Sequence, residues 1–186
     1  MLEQIDAHLE VARALTASVS LLEEIARRIV HTFSSGGRLY LVGNGGSAAD
    51  AQHIAAEFVG RFKLDRRPLP AIALTTDTSG LTAIGNDLGA EVIFARQVEG
   101  LVTEKDIVWA LSVSGRSPNI IAAVQAARRR GATVIGFTST SGDALAELAD
   151  CCLQVSHTDS DRVQEVHVLA YHLICERVEA AFAEAE

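Results

Sequence analysis

The sequence predicts an α/β fold, a three-layer α/β/α sandwich on a five-stranded parallel sheet with an N-terminal helical arm. Three observations predict it. From residue 38 onward, short runs of β-branched and aliphatic residues recur, nearly continuous in apolar residues rather than alternating, as strands covered on both faces require. Segments of helical period lie between most of these runs, and strand–helix alternation implies right-handed crossovers and parallel pairing. Residues 1–36 carry helical periodicity and no strand signal.

In chain order, a first helix runs from Leu2 to about Ala17 with a loose stripe through Leu2, Ile5, Leu9 and Ala12. A second places Leu22, Ile25, Ala26, Ile29, Val30 and Phe33 at helical spacing and stops at Ser34-Ser35-Gly36-Gly37. Such an arm packs on a neighbour, in the same chain or at an oligomer interface. Strands are expected at 38–42, 71–74, 106–111, 132–137 and 151–155. Helices are expected at about 48–60, 79–100 (broken at Gly85 or Gly89), 117–130 and 142–148. A long last helix, about 160–183, has its stripe through Val166, Ala170, Leu173, Ile174, Val178 and Ala181. Asp65-Arg66-Arg67-Pro68 reads as an exposed connection. With no repeat and no linker, residues 1–186 form a single domain.

Composition narrows the function classes. The 186 residues are 48% hydrophobic and 22% charged, enough to bury a core and too apolar for disorder. A net charge of −8 repels duplex phosphates and anionic lipid, so neither nucleic acid nor membrane is an expected partner. A small anion is still allowed, because a few local donors outweigh a distant field. Three cysteines, Cys151, Cys152 and Cys175, make neither a disulfide framework nor a paired zinc motif, and fit a reducing cytoplasm. MLEQIDAHLE lacks the pattern of a signal peptide, and no apolar run approaches the roughly 20 residues of a membrane span.

In an open parallel sheet, ligands bind beyond the carboxyl ends of the strands. After the first strand comes Gly43-Asn44-Gly45-Gly46-Ser47, opening into a helix. After the third comes Ser112-Val113-Ser114-Gly115-Arg116-Ser117, with Pro118 in the next helix's first turn. Either loop alone reads as a turn with a helix cap. Two on one sheet edge read as a phosphate cradle built from free amides, hydroxyls and helix dipoles. Neither matches the dinucleotide or Walker motif. Thr138-Ser139-Thr140-Ser141-Gly142 is taken as a capped helix start.

Among titratable groups, His53 and Glu57 share a helix face at i and i+4, as a metal pair, an acid–base pair or a surface polar pair. Gln164, Glu165, His167 and His172 cluster on the last helix. His167 and His172 point to different faces, and one of them reads as a buried, hydrogen-bonded histidine. Gly85-Asn86-Asp87 is either a helix break or a place where polar groups reach a ligand.

Taken in order, LVGNGGSAADAQHIAAEF, LTTDTSGLTAIGND, LSVSGRSPN and DRVQEVHVLAYH resemble the sugar isomerase (SIS) superfamily, and within it the phosphoheptose isomerases. The resemblance covers nearly the whole chain. It implies a homotetrameric enzyme of SIS fold that interconverts sedoheptulose 7-phosphate and D-glycero-D-manno-heptose 7-phosphate through an enediol. By motif, Asn44, Gly45, Gly46 and Ser47 match the first substrate loop, Asn86 and Asp87 the second, and Ser112, Val113, Ser114 and Ser117 the phosphate loop. His53, Glu57, Gln164 and His172 match the family's metal ligands, with zinc as the implied cofactor. Glu57 and His172 match the proton-transfer pair, and Glu57 and Gln164 also belong to the substrate set. Arg61 and Asp161 fall where the family has sugar-contacting residues. Val113 stands where relatives commonly have threonine, and Arg116 where they have asparagine.

Two tensions attach to this set. A Glu57 and His172 that hold zinc are not free as base and acid. Gln164 and His172 are also separated by about 12 Å along a straight helix, which points to sites assembled between subunits. Competing readings are a phosphosugar sensor or a replication-initiator-associating protein without catalysis, and an isomerase of another phosphorylated ketose. The presence of Glu57 and His172 favours the enzyme.

Overall fold

The computed structural model describes residues 1–183. Five strands, β1 (Leu39–Gly43), β2 (Ala71–Ala73), β3 (Ile107–Leu111), β4 (Thr133–Ser139) and β5 (Cys151–Val155), form one parallel sheet in the order β2-β1-β3-β4-β5. In register, Leu39 of β1 lies opposite Ala71 of β2 on one side and Ile107 of β3 on the other. The helices are α1 (Leu2–Ala14), α2 (Val19–Ser34), α3 (Gly46–Val59), α4 (Thr78–Leu88), α5 (Ala95–Leu101), α6 (Pro118–Arg129), α7 (Asp143–Leu148) and α8 (Ser160–Ala183).

Two cores flank the sheet, as the three-layer expectation requires. Leu41, Trp109 and Phe137 face one side and pack with Ile25, Ile29 and Phe33 of α2, Ile54 and Phe58 of α3, and Ile174 and Val178 of α8. Val42, Val108, Ala110 and Val134 face the other and pack with Val98 of α5, Ile120 and Val124 of α6, and Leu145 of α7. Central β1 and β3 are buried along their whole length. The edge strands depart from the continuous pattern: Ile72 of β2 and Gln154 of β5 face solvent, because an outer strand is covered on one face only.

Several expectations need correction. Of the two neighbours open to the arm, the second helix takes its own chain: α2 buries Leu22, Ile25, Ala26, Ile29 and Phe33 in the main core, each large side chain contributing about 1.5–3 kcal/mol. Only α1 is peripheral. It buries Val11, leaves Leu2, Ile5 and Leu9 exposed, and ends at Ala14 in a 3-10 turn, Leu15–Ser18. The break expected at Gly85 or Gly89 falls at Gly89, where φ is +102°, while α4 runs through Gly85 to Leu88. A helix tolerates one glycine at a cost of about 1 kcal/mol. On α8 the buried stripe is Val163, Val166, Ala170, Ile174, Val178 and Phe182, while Leu173 and Ala181 point outward.

The connection at 65–68 is not simply exposed either. Arg66 is buried, donating to the carbonyls of Glu57, Phe58 and Gly60 at 2.7–2.9 Å. It thereby caps the C-terminus of α3. Cys151, Cys152 and Cys175 are free, and burial, with Cys151 beside it, pushes the Cys152 thiol up to about 12. A thiol so raised is a packing residue, not a nucleophile.

Candidate active site

The order β2-β1-β3 makes the carboxyl ends of β1 and β3 the point where the winding reverses, the place where open α/β sheets bind ligands. The loops following these two strands therefore lie side by side. Asn44 and Asn119 tie them by exchanging two side-chain hydrogen bonds of 2.9 Å. Between the loops opens a cleft of about 360 Å³, lined by Asn44, Ser47, Ser112, Val113, Ser114 and Ser117, with Ser141, Thr158, Ser160 and Gln164 closing it. Among the described residues no charged side chain lines it. Its attraction for an anion comes instead from hydroxyls and from α3, α6 and α8, whose first residues open on it.

The cradle is held from below. Gly115 has φ +60°, and a Cβ there would lie 2.4 Å from Gly142 Cα. The Val113 carbonyl accepts from Ser139 N–H at 3.0 Å and from Thr138 Oγ1 at 3.1 Å. Thr138 and Ser139 thus extend β4 rather than starting a helix, which corrects the reading of that stretch, and Ser141 reaches the cleft. Gly46 packs on Gln164, where an added Cβ would meet Nε2 at 2.6 Å.

Further along α3 and α8, three candidate ligands gather from one chain. His53 Nε2 lies 2.9 Å from Glu57 Oε1 and 3.5 Å from His172 Nε2, and one donor atom from each residue falls within 4.8 Å of the others. Two imidazole nitrogens and a carboxylate are a donor set suited to a divalent transition metal. Phe62 stacks on His172, centroids 5.3 Å apart and planes at 24°. Partial burial and the neighbouring His53 hold His172 below the usual histidine range, so it is neutral near pH 7. Behind His53, Tyr171 Oη lies 3.0 Å from Nδ1 and donates to Asp50 Oδ1 at 3.4 Å. Burial raises Asp50, and burial with Asp50 raises Tyr171.

Not every predicted residue joins these two groups. Gln164 lines the cleft rather than standing beside His172. Helix α8 is unbroken between them, and eight residues of rise are about 12 Å. Asn86 and Asp87 sit exposed on α4, bonded to each other at 2.7 Å, outside the cleft lining. Arg61 is exposed past the end of α3, and Asp161 is exposed in the first turn of α8, where bonds from Arg162 hold its carboxyl below the usual range. Gly45, with φ +54°, forms the turn into α3. His167 is the fully buried histidine, Nε2 at 3.3 Å from the Thr138 carbonyl.

The chain has known relatives. The SIS domain family matches residues 3–139. The chain is 54% identical over 177 residues to the phosphoheptose isomerase of a Bradyrhizobium species (strain BTAi1), covering 94% of this chain and 89% of that one. It is 51% identical over 185 residues to the phosphoheptose isomerase of a Roseiflexus species (strain RS-1), covering 99% and 94%. The chain belongs to the SIS domain family, among its phosphoheptose isomerases. The solved phosphoheptose isomerase of Neisseria gonorrhoeae superposes with a TM-score of 0.87 at 40% identity, covering 96% of this chain and 94% of that one.

Within this phosphoheptose isomerase fold, the sequence reading missed Asp50, Phe62, Tyr171, Ser141, Thr158 and Ser160. A signal existed for some. Asp50 precedes His53 and Glu57 at i, i+3 and i+7 on one helix face, and Thr158 and Ser160 stand at the start of the long helix. Phe62 and Tyr171 carried none: Phe62 lies in the loop past α3, and an aromatic residue at helical spacing, as Tyr171 is, reads as core.

Proposed function

We propose that this protein is an isomerase interconverting sedoheptulose 7-phosphate and D-glycero-D-manno-heptose 7-phosphate, the first step of bacterial heptose biosynthesis. The observation that carries this reading is Glu57, flanked by His53 and His172 two helical turns beyond an uncharged, hydroxyl-lined anion cleft. A ketose–aldose interconversion moves a proton between C1 and C2 through an enediol and needs a base at carbon and an acid at oxygen. Ser112, Ser114, Ser117 and the N-termini of α3 and α6 hold the phosphate, fixing the sugar's far end. Glu57 takes the proton from one carbon and returns it to the other. His172, neutral near pH 7, exchanges a proton with the oxygens. Asn44, Gly45, Gly46 and Ser47 position the sugar chain.

His53, Glu57 and His172 would hold zinc in place of, not alongside, the free base and acid roles of Glu57 and His172, and as a Lewis acid it would polarise the sugar's oxygens. The distance from Gln164 to this trio within one chain supports sites shared between subunits, in which one copy's cleft faces another's trio. Exposed Leu2, Ile5 and Leu9 on α1, and an α4 with no fully buried residue that carries Asn86 and Asp87, support a homotetramer that covers them. Arg61, Asp161 and Gln164 would meet the sugar there. Among the described residues no helix is long and apolar enough to cross a membrane, and the reaction is assigned to the cytoplasm.

The test is NMR of the protein with sedoheptulose 7-phosphate in D₂O, metal-free and with zinc, beside Glu57→Gln. The expected result is aldose phosphate carrying solvent deuterium at the carbon that receives the proton, lost in the variant. Binding without turnover in both metal conditions would instead make the protein a phosphosugar sensor.

A further inference from the structure

The strongest unassigned feature lies behind His53. Its Nδ1 is 3.0 Å from the Tyr171 hydroxyl, which donates to Asp50 Oδ1 at 3.4 Å. A phenol has one proton. With that proton directed at the Asp50 carboxylate, the Tyr171 oxygen is an acceptor toward His53, so Nδ1 carries hydrogen and Nε2 is left as a lone pair. That lone pair faces Glu57 Oε1 at 2.9 Å and His172 Nε2 at 3.5 Å. Two acceptors that close repel unless a proton or a cation lies between them.

The relay is built rather than incidental. Tyr171 is fully buried, and Asp50 Oδ2 is buried without a hydrogen-bond partner among the described residues. Keeping an under-satisfied carboxylate beside a core tyrosine costs stability, and a surface histidine that needed only packing would not require it. Asp50, His53 and Glu57 share one face of α3, while Tyr171 and His172 are consecutive on α8. About two turns of α3 and two consecutive residues of α8 therefore supply both the cluster and its support. His53 is also the most exposed member of the trio, its side chain 46% accessible against 19% for Glu57, and so the one that most needs orienting.

We propose that Tyr171, backed by Asp50, is a positioning residue that locks His53 as the Nδ1–H tautomer with Nε2 directed into the site as a metal ligand. The inference rests on the trio being the metal site of the proposed isomerase. Partners of this kind change metal affinity about 10–100-fold when removed.

The test needs no substrate, so its failure is distinguishable from failure of the isomerase assignment. Long-range ¹H–¹⁵N NMR of the metal-free protein at alkaline pH reads the tautomer of His53, and competition against a chromophoric chelator reads zinc affinity. The wild type is expected to show Nδ1–H alone. Tyr171→Phe is expected to show both tautomers and to bind zinc about 10–100-fold more weakly. Asp50→Asn keeps an acceptor for the Tyr171 hydroxyl, so it should retain the Nδ1–H signal with a smaller loss of affinity, and it guards against a Tyr171 variant that does not fold. A folded Tyr171→Phe with the wild-type tautomer and wild-type zinc affinity would overturn the proposal. A wild type that takes up no zinc would overturn its metal half, and the tautomer would decide the rest.

Discussion

Arg66 and Glu179 meet at 3.4 Å, with side chains 0% and 1% exposed, and together they hold the C-terminus of α3 against α8. Glu179 accepts from the amides of Phe62, Lys63 and Leu64 at 2.6–2.9 Å, while Arg66 caps the carbonyls of Glu57, Phe58 and Gly60. The pair thus sets the end of the helix that carries Glu57 and the loop that stacks Phe62 on His172.

Glu179→Ala leaves the buried Arg66 guanidinium without its charge partner. Breaking a buried pair in this way costs about 3–5 kcal/mol, to be read from urea denaturation. Burial raises the Glu179 carboxyl, but three amides and Arg66 outweigh it, so its native value lies below the ordinary 4.5. A carboxyl lowered on folding contributes stability above its unfolded value, and that stability is lost as pH falls below about 4.5. Acid unfolding of the wild type should show this loss, and Glu179→Ala should lack it.

His167 gives a second, higher acid limb. Burial lowers it from 6.5 to about 4, while its bond to the Thr138 carbonyl opposes the shift only in part. Between these values the unfolded chain binds a proton that the folded chain refuses. Stability should therefore fall as pH drops from 6.5 toward 4, by about 3 kcal/mol in all. Replacing His167 with Gln should flatten this limb of the pH–stability curve, even if the variant is less stable at pH 7.

Shared sites predict a specific pattern of complementation. Gly115→Ala disables the cleft, because its φ is +60° and the added Cβ would meet Gly142. Glu57→Gln disables the trio. Each alone should lose at least a hundredfold in kcat/KM, and refolding the two together should restore activity. Glu57→Gln mixed with His172→Ala should not recover, because one chain supplies both residues to the same trio. Absence of rescue in the first mixture would place cleft and trio of one chain in one site.

Val113 holds its loop through its carbonyl, and its side chain packs against the core of α2, α3 and α8. Val113→Thr should therefore leave kcat unchanged and move KM for the heptulose phosphate by less than about threefold, under ~0.7 kcal/mol. Steady-state kinetics of the two proteins decides it.

The layered fold, the five strands and most helix limits were legible because burial on both faces writes continuous apolar runs into β1 and β3, and helical period into α2 and α6. The two glycine- and serine-rich loops were legible because backbone approach and helix capping restrict which residues stand there. What periodicity did not contain was strand order. That β1 lies beside β3, so that Asn44 meets Asn119, is decided only when the sheet forms. The same holds for contacts between elements far apart in sequence. Arg66 looked like a surface residue because its partner lies on α8, and Tyr171 looked like core because only the packing of α3 on α8 brings its hydroxyl to His53. A sequence records each residue's burial through local pattern, but a hydrogen bond between helices depends on the crossing geometry of the pair, and tertiary structure alone sets that.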